Sequence, residues 1–308
     1  MGSQPAVPAI EVGGTHVSAA LVDVRGGCIV AGTLRSLPLA SDGTADEIVG
    51  RLLRCAEALE VRTAATWGVA IPGPFDYARG IGSFAGVAKF GSLKGVDLRA
   101  RLLDGLGTRA ASMRFVNDAD AFLLGEWTSG AAAGHVRAAA LTLGSGVGSA
   151  FLADGSIVEH GPLVPPEGRV DLLTIDGRPL EDTVSRRALL AAYAGATAER
   201  ARRELDVLGL AELARQGSRP AGRVFGAALD ALGRVLAPWL QRFGATVLVV
   251  GGSIARSWDV IEQPLLAGLE RGAAGLTSHM ELASARMPAE APLIGAAAHV
   301  IARASGGR

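Results

Sequence analysis

Ala9-Ile-Glu-Val-Gly-Gly-Thr15 is the stretch on which the fold turns. The apolar run from Val7 stops at a glycine pair. The chain then returns at once through the alternating segment His16–Val22, the pattern of two strands joined by a tight turn. A second turn at Gly26-Gly27 leads into Cys28–Leu34, so the opening reads as an antiparallel meander. The same construction recurs near the middle of the chain. Ala138–Leu143 reads as a strand, Gly144-Ser-Gly-Val-Gly148 as a glycine turn and Ser149–Leu152 as the returning strand. Two such units imply two halves of similar build.

Outward from these turns the pattern is mixed. Thr44 caps an expected helix reaching about Glu60, in which Ile48, Leu52, Leu53, Ala56 and Leu59 recur at helical spacing. Ala65–Ile71 is a buried strand ended by Pro72-Gly73-Pro74. Phe75–Gly107 reads as a long glycine-rich loop region over a cleft. Phe115–Val116 is a short strand leading into Asn117-Asp118 and a helix over Ala119–Ser129. The second half continues with helices over Ser185–Gly195, Ala198–Leu208 and Ala221–Phe243. The strand Ala245–Val250 follows, then Gly251-Gly252-Ser253 and a helix to about Arg271. A strand–glycine–helix unit is a plausible anion contact, because helix N-termini carry unpaired N–H groups. This is an α/β chain, and with no low-complexity linker the halves are expected to be hinged at a cleft.

Composition narrows the function. A chain of 308 residues with 30 basic and 30 acidic side chains has no net charge and no broad cationic field for nucleic acid or an anionic membrane. Only Cys28 and Cys55 are present, too few for a disulfide framework and wrongly spaced for a CxxC knuckle. The N-terminus shows no export signal, and apolar runs such as Ala245–Gly251 and Leu293–Ile301 are too short to span a bilayer. The expected location is the cytoplasm.

Glycines 13, 14, 144, 146 and 148 lie between strands, where they permit positive φ and let backbone amides approach phosphate oxygens closely. Ordinary hairpin turns would look the same one at a time. Gly144–Ser149 lacks the last glycine of GxGxxG and runs into a strand, and no GxxxxGK[ST] occurs, so neither a dinucleotide fingerprint nor a P-loop is present.

Five segments together carry a resemblance: Ala9–Thr15, Gly68-Val-Ala-Ile-Pro-Gly-Pro74, Asn117-Asp118-Ala119, Thr142-Leu-Gly-Ser-Gly-Val-Gly148 and Val250-Gly-Gly-Ser-Ile254. In order and spacing they resemble the ROK family of bacterial sugar kinases, and Leu293-Ile-Gly-Ala-Ala297 extends the likeness almost to the end. The resemblance implies an actin-like ATPase (hexokinase/ribonuclease H-like) fold of two α/β domains, each with a mixed five-stranded sheet, around a cleft. The smaller domain would comprise residues 1–117 plus a C-terminal helix over 293–308, and the larger residues 118–292. It implies ATP held by Gly13, Gly14 and Thr15 and by Thr142, Gly144, Ser145 and Gly146, with adenosine at Gly251, Gly252 and Ser253. It also implies a homodimer. With the first glycine turn already at residue 13, the DNA-binding segment that ROK regulators carry ahead of this core is not expected.

Phosphoryl transfer to an alcohol needs a base, a polyphosphate cradle and a divalent metal. Asp118 is the candidate base, although an aspartate there reads equally well as a helix cap. Asn117 would hold a substrate hydroxyl. Glu11, where the family usually has aspartate, would orient Mg2+, commonly through water, since that ion sheds its hydration shell reluctantly. Glu167, in Pro166-Glu-Gly168, and Glu181, in Leu180-Glu-Asp-Thr-Val-Ser185, resemble the family's sugar-gripping glutamates. Gly73 is placed with them. As isolated surface acids the glutamates would mean nothing.

Three departures stand out. The family's histidine would fall at Val170, with His160 and Arg169 close by in sequence. Its cysteine-rich zinc motif is absent, so no structural zinc is expected. Its Asn-x-x-Gly-Trp segment is replaced by Phe84-Ala-Gly-Val-Ala-Lys89-Phe90, where Lys89 touches substrate or phosphate or is simply a solvated loop lysine. The expected activity is ATP-dependent phosphorylation of the primary (6-type) hydroxyl of a hexose or hexose-like acceptor, such as glucose, an amino sugar or a cyclitol. The rival is a catalytically silent sugar-sensing protein of the same fold.

Overall fold

A computed structural model of the chain describes residues 6–84, 89–197 and 205–305. Two compact units emerge, Met1–Ala133 with Met287–Arg308, and Gly134–Arg286.

In the first unit β1 (Val7–Val12) and β2 (His16–Asp23) pair antiparallel across the first glycine turn, with Val12 opposite Val17. The expected third strand, Cys28–Leu34, is cut short. β3 (Cys28–Ile29) ends before Gly32, whose φ of +76° breaks the extended path, and β4 (Arg35–Pro38) then returns along β2. Helix α1 (Ala45–Glu57) starts at Thr44 in a reciprocal capping box with Glu47 and buries Ile48, Leu52, Cys55 and Ala56. β5 (Ala65–Ile71) lies parallel to β1.

The segment 75–107 is not simply loop. β6 (Phe75–Asp76) pairs with β7 (Ile81–Gly82), and α2 (Leu98–Leu106) is capped by Asp97. Its Leu98, Leu102 and Leu106 are buried at four-residue spacing, a helical stripe hidden in sequence by glycine-rich flanks. Positions 85–88 lie outside the described residues. β8 spans Ala110–Asn117, longer than the expected Phe115–Val116, because Met113 and Phe115 turn inward while Arg114 faces out. It leads directly into α3 (Asp118–Ser129).

The sheet has six strands, ordered β3-β2-β1-β5-β8 with β4 on β2, where the resemblance implied five. β1, β5 and β8 are parallel, Glu11 lies opposite Ala70, and Ile71 lies opposite Asn117. Parallel strands present their C-terminal ends along one edge, so Glu11, Ile71 and Asn117 meet there by topology.

The C-terminal helix, Ala291–Ser305, packs on α3 through Gly125 and Gly295, and on β5 through Gly68. A methyl on Gly125 would overlap the Ala291 carbonyl, and one on Gly295 the Ala121 carbonyl. These contacts correct the expected domain boundary, since α3 belongs with the first unit and not with residues 118–292. Gly125→Ala should destabilise the protein by roughly 3 kcal/mol, because backbone on both sides has nowhere to go. An unchanged denaturant midpoint would contradict this packing.

In the second unit β9 (Arg137–Leu143), β10 (Val147–Ala153) and β11 (Ser156–Ile157) form a meander. A two-stranded ribbon follows, β12 (Thr174–Ile175) with β13 (Arg178–Pro179). Next come the helices α4 (Glu181–Val184), α5 (Arg186–Ala196), α6 (Val207–Arg215) and α7 (Arg219–Phe243). Of the helix expected over 198–208, positions 198–204 lie outside the described residues, and Val207 opens α6 instead. β14 (Val247–Gly251), α8 (Trp258–Gly272) and β15 (Glu281–Ser284) complete a five-stranded sheet ordered β11-β10-β9-β14-β15. Gly251 lies opposite Thr142, which sets the second and third glycine turns side by side. A 3-10 turn, Ile254–Ser257, separates the third turn from α8, so no α-helix N-terminus abuts it as expected. Among the described residues no helix is long and apolar enough to cross a membrane.

Candidate active site

In the first unit, the turn after β1 closes with the Gly13 N–H donating to the His16 carbonyl at 2.9 Å. Glu11 is largely buried. Its carboxylate meets His16 Nε2 at 3.3 Å, while Thr15 Oγ1 lies 3.5 Å from His16 Nδ1. This contact, first as a hydrogen bond and then through charge, raises the His16 pKa, with partial burial opposing it. A side chain on Gly13 would crowd both His16 and Glu11. On Gly14 it would meet the Lys89 ammonium at 2.8 Å. Neither glycine adopts positive φ, and nor do Gly144, Gly146 and Gly148, in contrast to the left-handed backbone the sequence suggested; at Gly13, Gly14 and Gly146 a Cβ would crowd a neighbouring side chain.

At the end of β8, Asn117 is the N-cap of α3, its side-chain oxygen accepting from the Ala119 N–H at 2.9 Å. The cap position of α3 therefore belongs to Asn117. Asp118 occupies the first helical position, accepting from the same N–H at 3.0 Å. Burial pushes the Asp118 carboxyl up to about 6, with the Glu11 charge adding to the rise. The Ala119 N–H and the Lys89 ammonium pull the other way. Asn117 Nδ2 donates to Tyr77 Oη at 2.9 Å, and the tyrosine hydroxyl donates to the Ile71 carbonyl at 3.3 Å. Gly73 sits beside this network, 3.2 Å from the Tyr77 hydroxyl at the point where a Cβ would stand. Tyr77 thus orients Asn117, leaving one Nδ2 hydrogen for a ligand. Neither Tyr77 nor His16 was singled out in the sequence. The signals available were only a hydroxylated aromatic in a loop and a histidine directly after the first glycine turn.

In the second unit, the turn after β9 closes with the Gly144 N–H donating to the Gly146 carbonyl at 3.0 Å, and Ser145 is exposed at its tip. Glu181 Oε1 accepts from the Val147 N–H at 2.7 Å and lies 2.5 Å from where a Gly146 Cβ would stand. The carboxylate expected on the sugar therefore braces the hairpin with one oxygen, and a hydroxyl-gripping role is left to Oε2. The third turn crosses the second closely. Gly252 has φ +88° and packs against the Leu143 backbone, and Ser253 Oγ lies 3.4 Å from the Cβ position of Gly144.

Glu167 is exposed, 3.4 Å from Arg169, which also holds Asp171 at 2.6 Å. Its backbone is left-handed, φ +57°, a strained conformation for a non-glycine residue. Val170 is fully buried in the core of this unit, its N–H donating to Ser149 Oγ at 3.0 Å. The position expected to face a sugar is a core position, and Arg169 is already engaged by two carboxylates. His160 is exposed.

Among the described residues no three His, Cys, Asp or Glu side chains gather around a metal position. Glu11, largely buried beside the first glycine turn, is a single carboxylate donor, a set compatible with an ion such as Mg2+ that keeps most of its waters and takes further ligands from substrate phosphates.

The ROK family model matches residues 7–168. A glucokinase of Thermotoga maritima is 28% identical over 281 residues, covering 83% of this chain and 84% of that protein. Among solved structures, the ROK hexokinase of Thermus thermophilus superposes with a TM-score of 0.74 at 25% identity, over 98% of this chain and 99% of the other. A ROK family glucokinase from Streptomyces griseus, in complex with glucose and AMPPNP, gives 0.75 at 23% identity, over 95% and 98%. With more than half of its length matched by the family and nearly all of it following the backbone of solved relatives, this chain belongs to the ROK family and has the actin-like ATPase fold.

Proposed function

We propose that this protein is a sugar kinase that moves the γ-phosphoryl group of ATP onto the primary hydroxyl of a hexose or hexose-like acceptor. The observation that carries the reading is Asp118. It stands at the first helical position after the cap Asn117, and burial raises its carboxyl to about 6, a value suited to a base working near neutrality. Its neighbours Glu11 and Lys89 border the first glycine turn. The Thermotoga glucokinase supports the substrate class.

In this reading Asn117 and Gly73 position the acceptor, with Lys89, Glu167 and Glu181 Oε2 as further hydroxyl or phosphate contacts. Gly13, Gly14 and Thr15, with Thr142, Gly144, Ser145 and Gly146, receive phosphate oxygens, and Gly251, Gly252 and Ser253 the adenosine. Glu11 would hold Mg2+ through water, and the bound ion would spread negative charge on the polyphosphate. Asp118 takes the hydroxyl proton, the oxygen forms the new bond to the γ-phosphorus, and the bond to the β-phosphate bridge breaks, releasing ADP. The strained Glu167 fits a side chain presented to a ligand at the expense of local stability.

ADP release across glucose, fructose, mannose, N-acetyl and amino hexoses and cyclitols tests the proposal. One acceptor should stimulate turnover strongly, and sugar binding with no turnover on any of them would favour a silent sensor.

The pH profile is the second check. Because the base must be deprotonated, kcat/KM should rise with pH through about 6. Lys89→Met removes an opposing cation and should move this limb to higher pH, while Glu11→Gln removes a like charge and should move it lower. Opposite movements would remove Asp118 from the role of base.

A further inference from the structure

Arg186 opens α5 immediately after its N-cap Ser185. Two things about it are unusual. Its backbone N–H donates to the Gly144 carbonyl at 2.9 Å, and its guanidinium reaches Ser253 Oγ at 3.5 Å, so this one residue touches both the second and the third glycine turns. It is also a cation in the first turn of a helix, where the partial positive charge of the helix end opposes it. Its neighbour Arg187 is compensated by Asp182 at 2.8 Å, whereas among the described residues no carboxylate lies within ion-pair distance of Arg186. The first turn of α5 holds no acidic residue either.

An exposed guanidinium kept against a helix dipole, with most of its five donors unspent, is electrostatically incomplete. An anion beside it would complete it, and two or more N–H donors in a planar fork match phosphate oxygens. Its place fixes which phosphate. In the kinase reading the Gly144 turn cradles phosphate and the Ser253 turn borders the adenosine. A group touching both lies where the nucleoside passes into its phosphate chain.

On the kinase reading, we infer that Arg186 binds the phosphates adjoining the ribose of the nucleotide, and so sets affinity for adenine nucleotides over adenosine. Asp118 and the acceptor are not involved, so the effect belongs in nucleotide binding and in KM for ATP.

Equilibrium binding of ADP, AMP and adenosine to the full chain and to Arg186→Ala and Arg186→Lys is the test, with folding monitored by circular dichroism. Arg186→Ala should weaken ADP and AMP by about ten- to a hundredfold, the range of a charge-assisted hydrogen bond, and leave adenosine within about threefold. Arg186→Lys should recover part of the loss, since the charge remains and the fork does not. Adenosine weakening as much as ADP would reduce Arg186 to a clasp between the two turns and overturn the inference, as would unchanged affinity for all three. Failure of the wild-type chain to bind any adenine nucleotide would overturn the kinase reading and this inference together, an outcome separate from selective failure in the variants.

Discussion

Asp118→Asn should lower kcat by about a thousandfold while leaving sugar affinity within a few-fold, since removal of a general base typically costs ~10²–10⁴ in rate. Stability should move the other way. Burial holds the folded Asp118 carboxyl near 6, above its ordinary 3.8, so the folded state prefers the proton. The stabilisation this brings is complete below about 4 and is lost as the pH climbs through 6. At pH 7 the charged carboxylate is therefore a burden of roughly 2–3 kcal/mol, which asparagine removes. The variant should be nearly inactive, better folded than the parent at pH 7, and no better at pH 3.5. Acceptor-stimulated ADP release and denaturant midpoints at both pH values check the two halves. Full activity in Asp118→Asn would end the base assignment. Equal midpoints at pH 7 would mean that the carboxyl is not desolvated.

Glu181→Ala should raise KM for ATP by about ten- to a hundredfold and destabilise the protein by roughly 1–3 kcal/mol, because the Val147 N–H loses its acceptor beside the second glycine turn. Glu181→Gln keeps an oxygen for that N–H and should stay close to the parent in KM for ATP. The comparison separates two roles. If the residue served the sugar alone, both variants would shift KM for the acceptor and neither would shift KM for ATP. Steady-state kinetics with each substrate varied in turn distinguish them.

Much of the architecture was legible because it is carried by local signals. The capping box at Thr44 and Glu47, the two strand–glycine–strand units and the apolar run ending at Gly251 each identify themselves within a few residues. α2 was missed because its three buried leucines lie among glycine-rich turns, and β8 was shortened because its outward face is polar. The cap of α3 was ambiguous, since Asn117 and Asp118 are both good caps and only the backbone assigns it to Asn117.

What the sequence determined by itself was which residue types stand at the strand ends: glycines where a backbone must be approached, and carboxylates just beyond. Tertiary structure decided what each of them touches. Val170 went into the core, Glu181 turned to a backbone N–H, His16 closed on Glu11, and Arg186 came to lie between two turns more than forty and sixty residues away on either side. The reason is that strand register and helix packing are non-local. A pattern of alternation fixes a face, while the partner across that face comes from pairing between segments distant in the chain.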